Sequence, residues 1–325
     1  MAKALKPGDV IGIIAPASPA RSQERITKSV EYFERLGYRV ELGKQVTDMA
    51  SLPAPSYLAA PDKDRLADLH AMFRNKHVKA IFYHRGGYGS IRLLDKIDYD
   101  LVRANPKIIV GYSDATALFA ALHKKTGLAA CFFGPMPGVD LWDKVDPFTE
   151  ENFWRAMTTT GSVEHALACS EMPRRSGIPA RLPLIQGRLI GGNLTVFCSL
   201  LGTPYQPSFR NSIPIFEEIE EKPRKIDAYL AQLRLAGLFD QAKAVLLGYF
   251  TNCTDADAPS LSLEEVIDNY FPRGGRPPQL PALPLITGLP FGHEPRMLTL
   301  PLGAKVQVKM DKNNAVISIL DSPLV

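Results

Sequence analysis

Ile108-Ile-Val-Gly-Tyr-Ser-Asp-Ala-Thr-Ala-Leu118 runs from an apolar strand through a tight turn straight into a helical pattern. A short apolar run that meets Gly111 and passes at once into a helix-like run over 114–123 is a strand-to-helix unit, one step of a parallel sheet. The same alternation extends to both sides. Upstream, apolar runs over 10–15, 38–42 and 80–84 are separated by amphipathic stretches over 23–36 and 62–73, where Leu66, Leu69 and Phe73 recur near the helical period. Downstream, residues 128–133 supply a fifth run. Five strands alternating with helices predict a small, doubly wound α/β domain with a parallel sheet, of the flavodoxin or amidotransferase kind, over residues 1–170.

The pattern breaks at Glu171-Met-Pro-Arg-Arg-Ser-Gly-Ile-Pro-Ala-Arg181, whose prolines, glycine and charges are linker chemistry. Beyond it come β-like runs over 182–189, 214–219, 244–249, 306–310 and 315–320, with two helical stretches among them. One of these, over 224–238, carries Ile226, Leu230 and Leu233 on one face and meets a stop signal at Gly237. A second domain, α+β and barrel-like, is expected over 182–325.

A chain of 325 residues exceeds what one core usually organises, in keeping with two domains. Hydrophobic residues at 46% and charged residues at 22% match ordinary globular proteins and argue against disorder or a fibrous class. The net charge of +4 comes with no dense Lys/Arg run, so no nucleic-acid partner is expected. The apolar run near the N-terminus is too short for a signal peptide, and no segment approaches the roughly 18 apolar residues of a membrane span. A cytoplasmic protein without a membrane partner is the expectation. Cys131, Cys169, Cys198 and Cys253 lie far apart without a CxxC pair, which favours buried thiols over a zinc site or disulfides. No H-E-x-x-H helix appears, so neither metal nor cofactor is expected.

Gly111-Tyr-Ser-Asp-Ala115 approaches the G-x-S-x-G nucleophile elbow, with alanine in the last place. Such a turn lifts the serine hydroxyl above the strand end and leaves the first helical N–H groups free for an oxyanion. The competing assignment for Ser113 is a plain helix N-cap. A second glycine-rich stretch, His84-Arg-Gly-Gly-Tyr-Gly-Ser90, also follows a strand. It lacks both P-loop and G-x-G-x-x-G spacing, so a backbone loop that supplies a second oxyanion donor fits it better than a nucleotide cradle; a sharp surface turn is the simpler alternative. Of six histidines, His84 beside that loop and His293 in Gly288-Leu-Pro-Phe-Gly-His-Glu-Pro-Arg296 can serve as base. Pro214-Ile-Phe-Glu-Glu-Ile-Glu-Glu-Lys222 offers the orienting carboxylate, and strand alternation turns Glu217 and Glu218 to opposite faces. No cysteine sits at a glycine-flanked strand-to-helix turn, which disfavours a cysteine amidotransferase.

At these residues the chain resembles the LD-carboxypeptidase family, serine peptidases that include the muramoyltetrapeptide carboxypeptidases. The likeness runs in order through Leu5-Lys-Pro-Gly-Asp9, Ala15-Pro-Ala-Ser-Pro19, Arg85-Gly-Gly-Tyr-Gly89, Gly111-Tyr-Ser-Asp114 and Gly134-Pro-Met136. It continues through Gly191-Gly-Asn-Leu194, Gly202-Thr-Pro204, Arg224-Lys-Ile-Asp227, Phe291-Gly-His293 and Leu298-Thr-Leu-Pro-Leu-Gly303. The resemblance implies Ser113 as nucleophile, His293 as base and, ten residues before Asp227, Glu217 as orienting carboxylate. Where the family has Asp and Gly after that glutamate, this chain has Glu218 and Glu220, so Glu218 stands as the alternative. The implied oxyanion donors are the N–H of Asp114 and one from Gly86 or Gly87. Arg85, Tyr88 and Arg224 are the candidate substrate-binding residues, the arginines for a terminal carboxylate. The implied activity is release of the terminal D-alanine from murein tetrapeptides in cell-wall recycling, by a homodimer whose active site gathers groups of both domains. The rival within the family is a self-immunity peptidase that cleaves peptide-nucleotide antibiotics such as microcin C, with Trp142 or Trp154 stacking the base. Outside it stands a non-catalytic peptide- or sugar-binding module.

Overall fold

The computed structural model describes residues 1–48, 56–168, 184–255, 259–272, 283–311 and 314–325. The linker expected over 171–181 and Cys169 lie outside them. In chain order the elements are β1 (Val10–Ile14), α1 (Gln23–Arg35), β2 (Arg39–Leu42), α2 (Lys44–Thr47), α3 (Asp62–Arg74), β3 (Val78–Tyr83), α4 (Tyr99–Ala104), β4 (Ile108–Gly111), α5 (Ala115–Thr126), β5 (Cys131–Phe133) and α6 (Pro147–Thr158). They continue with β6 (Val163–Ala168), β7 (Ile185–Asn193), α7 (Leu194–Cys198), β8 (Ser212–Ile219), α8 (Pro223–Leu235), β9 (Val245–Thr251), α9 (Leu263–Tyr270), β10 (Leu285–Ile286), β11 (Leu300–Leu302), β12 (Lys305–Asp311) and β13 (Asn314–Ile319).

These elements divide into two compact units. The first holds Met1–Gly161 with Pro295–Gly303 and Pro323–Val325; the second holds Ser162–Glu294 with Ala304–Ser322. The chain thus returns twice to its first unit, in segments that a contiguous division at 171–181 would assign to the second domain.

In the first unit the five runs read from the sequence form a parallel sheet in the order β2-β1-β3-β4-β5, with β11 added antiparallel beyond β5. This is the flavodoxin-like order, whose chain reverses direction across the sheet between β1 and β3. Ile11, Ile13, Phe33, Phe82, Ile108, Val110, Phe132 and Phe153 belong to one core cluster. Each such side chain contributes about 1.5–3 kcal/mol by leaving water. Helix α1 starts where the Ser22 hydroxyl accepts from the Arg25 N–H. It stops where Gly37, at φ 85°, donates to the Glu34 carbonyl. Helix α5 is buried from Ala115 to Leu122, as befits a helix apolar nearly all round.

The second unit is a seven-stranded mixed sheet in the order β10-β9-β8-β7-β12-β13-β6. Strands β7 to β10 run parallel, and β12, β13 and β6 are antiparallel neighbours. Phe197, Phe209, Phe216, Ile226, Leu230, Leu233 and Phe239 pack in its core. The helix expected over 224–238 is α8, which opens with Pro223, suited to a first helical position. It closes as Gly237 and Leu238 donate to Arg234 and Leu233. Among the described residues, no helix is long and apolar enough to cross a membrane.

Candidate active site

In the first unit, three residues separate the end of β4 from the start of α5. Gly111 permits so short a turn, because a Cβ there would lie 3.1 Å from the Ala115 Cβ and 3.2 Å from the Tyr83 Cβ. Ser113 takes φ 62°, a left-handed conformation that costs a non-glycine residue about 1–2 kcal/mol. The N-cap of α5 is Asp114, with no side-chain capping bond, so Ser113 is not holding the helix end. Its backbone is strained at the C-terminal end of a central strand, where open α/β sheets bind ligands.

The glycine-rich loop after β3 approaches this serine. A Cβ on Gly86 would stand 2.9 Å from the Ser113 Cβ, 3.1 Å from its Oγ and 3.6 Å from the Asp114 nitrogen. Only glycine lets the two backbones meet this closely. The loop is pinned from both sides. The Asp114 carboxylate accepts from the N–H groups of Gly89 (3.2 Å) and Ser90 (2.8 Å), and the Ser90 hydroxyl is 3.1 Å from that of Tyr83. Burial raises the Asp114 pKa, and these hydrogen bonds oppose the rise. Across the loop, the Ser18 hydroxyl accepts from the Tyr88 N–H and donates to the Tyr57 carbonyl. Gly87, at φ 109°, lies against that hydroxyl rather than against Ser113. The Tyr88 ring is exposed, 5.7 Å from the ring of Tyr57. Arg85 is half-buried and donates to the Pro19 carbonyl.

His84 is fully buried, its ring covered by the backbone of Gly138, where a Cβ would come within 2.1 Å of Cε1. Neither ring nitrogen has a hydrogen-bond partner among the described residues. Burial, reinforced by Arg85 and Arg25, pushes its pKa down to about 4. It is therefore a neutral core imidazole and poorly suited to act as a base.

In the second unit, His293 Nδ1 lies 2.6 Å from Glu217 Oε2, with Glu217 fully buried and His293 partly exposed. Glycines again set the approach. Gly292, at φ 131°, packs 3.2 Å from the Glu217 Cβ where its own Cβ would be, and the Phe291 carbonyl sits over Gly248 and accepts from Tyr249. The Thr251 hydroxyl donates to Glu294, the residue after the histidine. Burial raises the Glu217 pKa, and the His293 charge and hydrogen bond pull it back. Such a carboxylate stabilises an imidazolium and fixes the tautomer with a proton on Nδ1.

Glu218 turns away to a different task. The β8–β9 register shifts between Phe216 and Glu218, and both glutamates are buried. Glu218 accepts from Asn193 Nδ2 (2.8 Å), the Thr195 N–H (2.9 Å) and the Thr195 hydroxyl (2.6 Å) at the start of α7. The carboxylate beside His293 is thus Glu217, and Glu218 holds a helix start. The sequence offers Asn193 only within the Gly191-Gly-Asn-Leu194 likeness and Thr195 not at all; the N-cap signal of Asn193 before a helical run is the local clue to this role. Arg224 is exposed in the first turn of α8. Ser113, Asp114 and Gly86 are neighbours in the first unit, and Glu217 and His293 are paired in the second. Among the described residues, no group of three His, Cys, Asp or Glu side chains is arranged to hold a metal ion.

Sequence models of the LD-carboxypeptidase N-terminal domain and C-terminal domain match residues 11–134 and 186–308. A probable murein peptide carboxypeptidase of Bacillus subtilis is 37% identical over 317 residues, covering 97% of this chain and 93% of its own. The Escherichia coli microcin C7 self-immunity protein MccF is 29% identical over 347 residues, 98% of this chain and 95% of its own. A structure of MccF with aspartyl sulfamoyl adenosine superimposes with a TM-score of 0.83 at 27% identity, covering 100% and 99% of the two chains. The muramoyltetrapeptide carboxypeptidase of Oxalobacter formigenes gives 0.80 at 27% identity, covering 97% and 99%. By both domain matches and by likeness along nearly its whole length, the chain belongs to the LD-carboxypeptidase family.

Proposed function

We propose that this protein is a metal-independent serine carboxypeptidase of the cytoplasm that releases the terminal D-alanine from murein tetrapeptides, with Ser113 as nucleophile, His293 as base and Glu217 as its orienting carboxylate. The observation that carries the proposal is the 2.6 Å contact of His293 Nδ1 with buried Glu217. With Nδ1–H so occupied, Nε2 is the lone pair left to take a proton. Ser113, whose turn serves no capping purpose, supplies the hydroxyl. Its Oγ attacks the carbonyl of the residue before D-alanine as the proton passes to His293. The N–H groups of Asp114 and of Gly86 stabilise the oxyanion, a role for which the close approach of residue 86 to Ser113 is suited. The imidazolium returns the proton to the leaving amine, D-alanine departs, and water activated by the same histidine hydrolyses the acyl-enzyme. A homodimer acting in cell-wall recycling completes this reading. Ser113→Ala is the test. Loss of D-alanine release by about 10⁴-fold or more, with an unchanged circular dichroism spectrum, is expected; undiminished turnover overturns the assignment.

The likeness to MccF supports a second reading, cleavage of a peptide-nucleotide conjugate. Trp154 is taken up by the core, stacked on Tyr38 and donating to the Tyr32 hydroxyl, which leaves Trp142, with the Arg25 guanidinium 4.4 Å from its ring centre, as the other tryptophan for this role. Parallel assays of a murein tetrapeptide and an aminoacyl sulfamoyl or phosphoramidate adenosine separate the two.

A further inference from the structure

Three arginines converge where the first sheet reverses direction. Arg21 and Arg25 flank the start of α1, the first helix after β1, and Arg85 is the second residue after β3. Strands β1 and β3 are neighbours in the order β2-β1-β3-β4-β5, so the segments that carry these residues leave the sheet at its switch point, where doubly wound sheets receive ligands. The three act on one another electrostatically. Burial, and then the charges of Arg21 and Arg25, make the Arg85 guanidinium more willing to give up its proton, and the charges of Arg85 and Arg25 also bear on His84.

Nothing in the fold accounts for gathering them here. Cations at a helix N-terminus oppose its dipole, so Arg21 and Arg25 stand at the end of α1 where they stabilise it least. None of the three forms an ion pair with a carboxylate among the described residues. Glu24, which is close enough to feel Arg25, is bound to Lys28 at 2.8 Å. Their own contacts leave most donors unspent. Arg85 gives one bond to the Pro19 carbonyl, and Arg25 gives one to the Gly138 carbonyl while its guanidinium lies 4.4 Å from the centre of the Trp142 ring. Stacking on an aromatic face fixes the plane of a guanidinium and leaves its edge for a planar anion. Arg85 also adjoins Gly86, which packs on Ser113, so an anion held here is within the loop's reach of the candidate nucleophile.

We infer that Arg21, Arg25 and Arg85 form a carboxylate-binding subsite that holds the free C-terminus of the peptide substrate. The inference rests on the hydrolase reading for the identity of the ligand, and it removes Arg224 from that role. A cluster of three guanidinium groups takes the place of a single arginine in holding the substrate carboxylate.

The experiment compares a murein tetrapeptide with its C-terminal carboxamide, using binding to the full-length Ser113→Ala protein measured by calorimetry and turnover by the wild type. The free acid should bind about 10- to 100-fold more tightly than the amide, as expected when charge-assisted bonds to a carboxylate are lost. Adding Arg25→Gln, or separately Arg21→Gln, should collapse that ratio towards one, and Arg25→Lys should restore part of it. Equal binding of acid and amide overturns the subsite, as does absence of binding by either ligand or a ratio that survives both glutamine substitutions. Absence of wild-type turnover alongside a preserved acid preference sinks the hydrolase reading and leaves the subsite standing.

Discussion

The two units hold their candidate chemistry by different means. In the first, position is set by backbone: a left-handed serine, a glycine packed against it, and a loop tied down through N–H groups on Asp114 and Ser18. In the second, it is set by side chains: one imidazole nitrogen against one carboxylate oxygen, contributed from positions 76 residues apart. The two candidate histidines show the difference most sharply. His84 has burial without a partner and is driven neutral; His293 has partial exposure and Glu217. A histidine is equipped for proton transfer by its partner, and proximity to a glycine-rich loop does not supply one.

The largest expected effect tests whether the carboxylate matters through one specific contact. Glu217→Gln keeps the volume but cannot hold the Nδ1–H tautomer as an anion does, and kcat should fall by about 10⁴-fold with little change in KM. Glu218→Gln, on the neighbouring residue, should leave kcat within about 10-fold. Its cost falls on folding, because bonds from Asn193 and Thr195 to a buried carboxylate are weakened, by about 2 kcal/mol and several degrees in Tm. Steady-state kinetics and thermal melts on both variants decide the matter. Equal kinetic losses would erase the distinction between the two glutamates.

That contrast also marks how far the sequence can be read. The five parallel strands follow from alternation, and Ser113 with the 84–90 loop from local motifs, because backbone geometry is encoded by glycines a few residues away. The order in which strands pair is not local, and β11, which joins the first sheet from residues 300–302, reads in sequence as part of the second half. The dyad is less legible still. Strand alternation says that Glu217 and Glu218 part company but not which one meets a histidine, and the register shift at this point is invisible in the residues. Residues alone do not choose between His84 and His293; likeness to a family does. The difference that decides between them, one partnered ring against one unpartnered ring, arises from contacts between distant segments.

The histidine contrast has a pH signature of intermediate size. His84 has a pKa of about 4 in the folded protein against 6.5 as its ordinary value. Between those values the unfolded chain takes up a proton that the folded chain does not. The contribution of neutral His84 to stability is therefore complete above pH 6.5 and is lost as pH falls towards 4, by at most about 3 kcal/mol. His84→Leu, close in volume, should flatten that part of the stability profile in urea unfolding series at pH 4.5, 5.5 and 7. A slope identical to that of the wild type would show that the imidazole is not held neutral, and the comparison with His293 would lose its basis.

The smallest effect is the most diagnostic of the serine turn, because its sign differs between the two assignments open to Ser113. At a helix N-cap, replacing serine with glycine costs a few tenths of a kcal/mol. At φ 62° the same change removes a clash between Cβ and backbone, so Ser113→Gly should be more stable than the wild type by about 1 kcal/mol. The melting temperatures of the two proteins decide the sign. If the glycine variant proves less stable than the wild type, the turn is relaxed, and a serine kept there at no conformational cost loses one physical reason to be regarded as retained for chemistry.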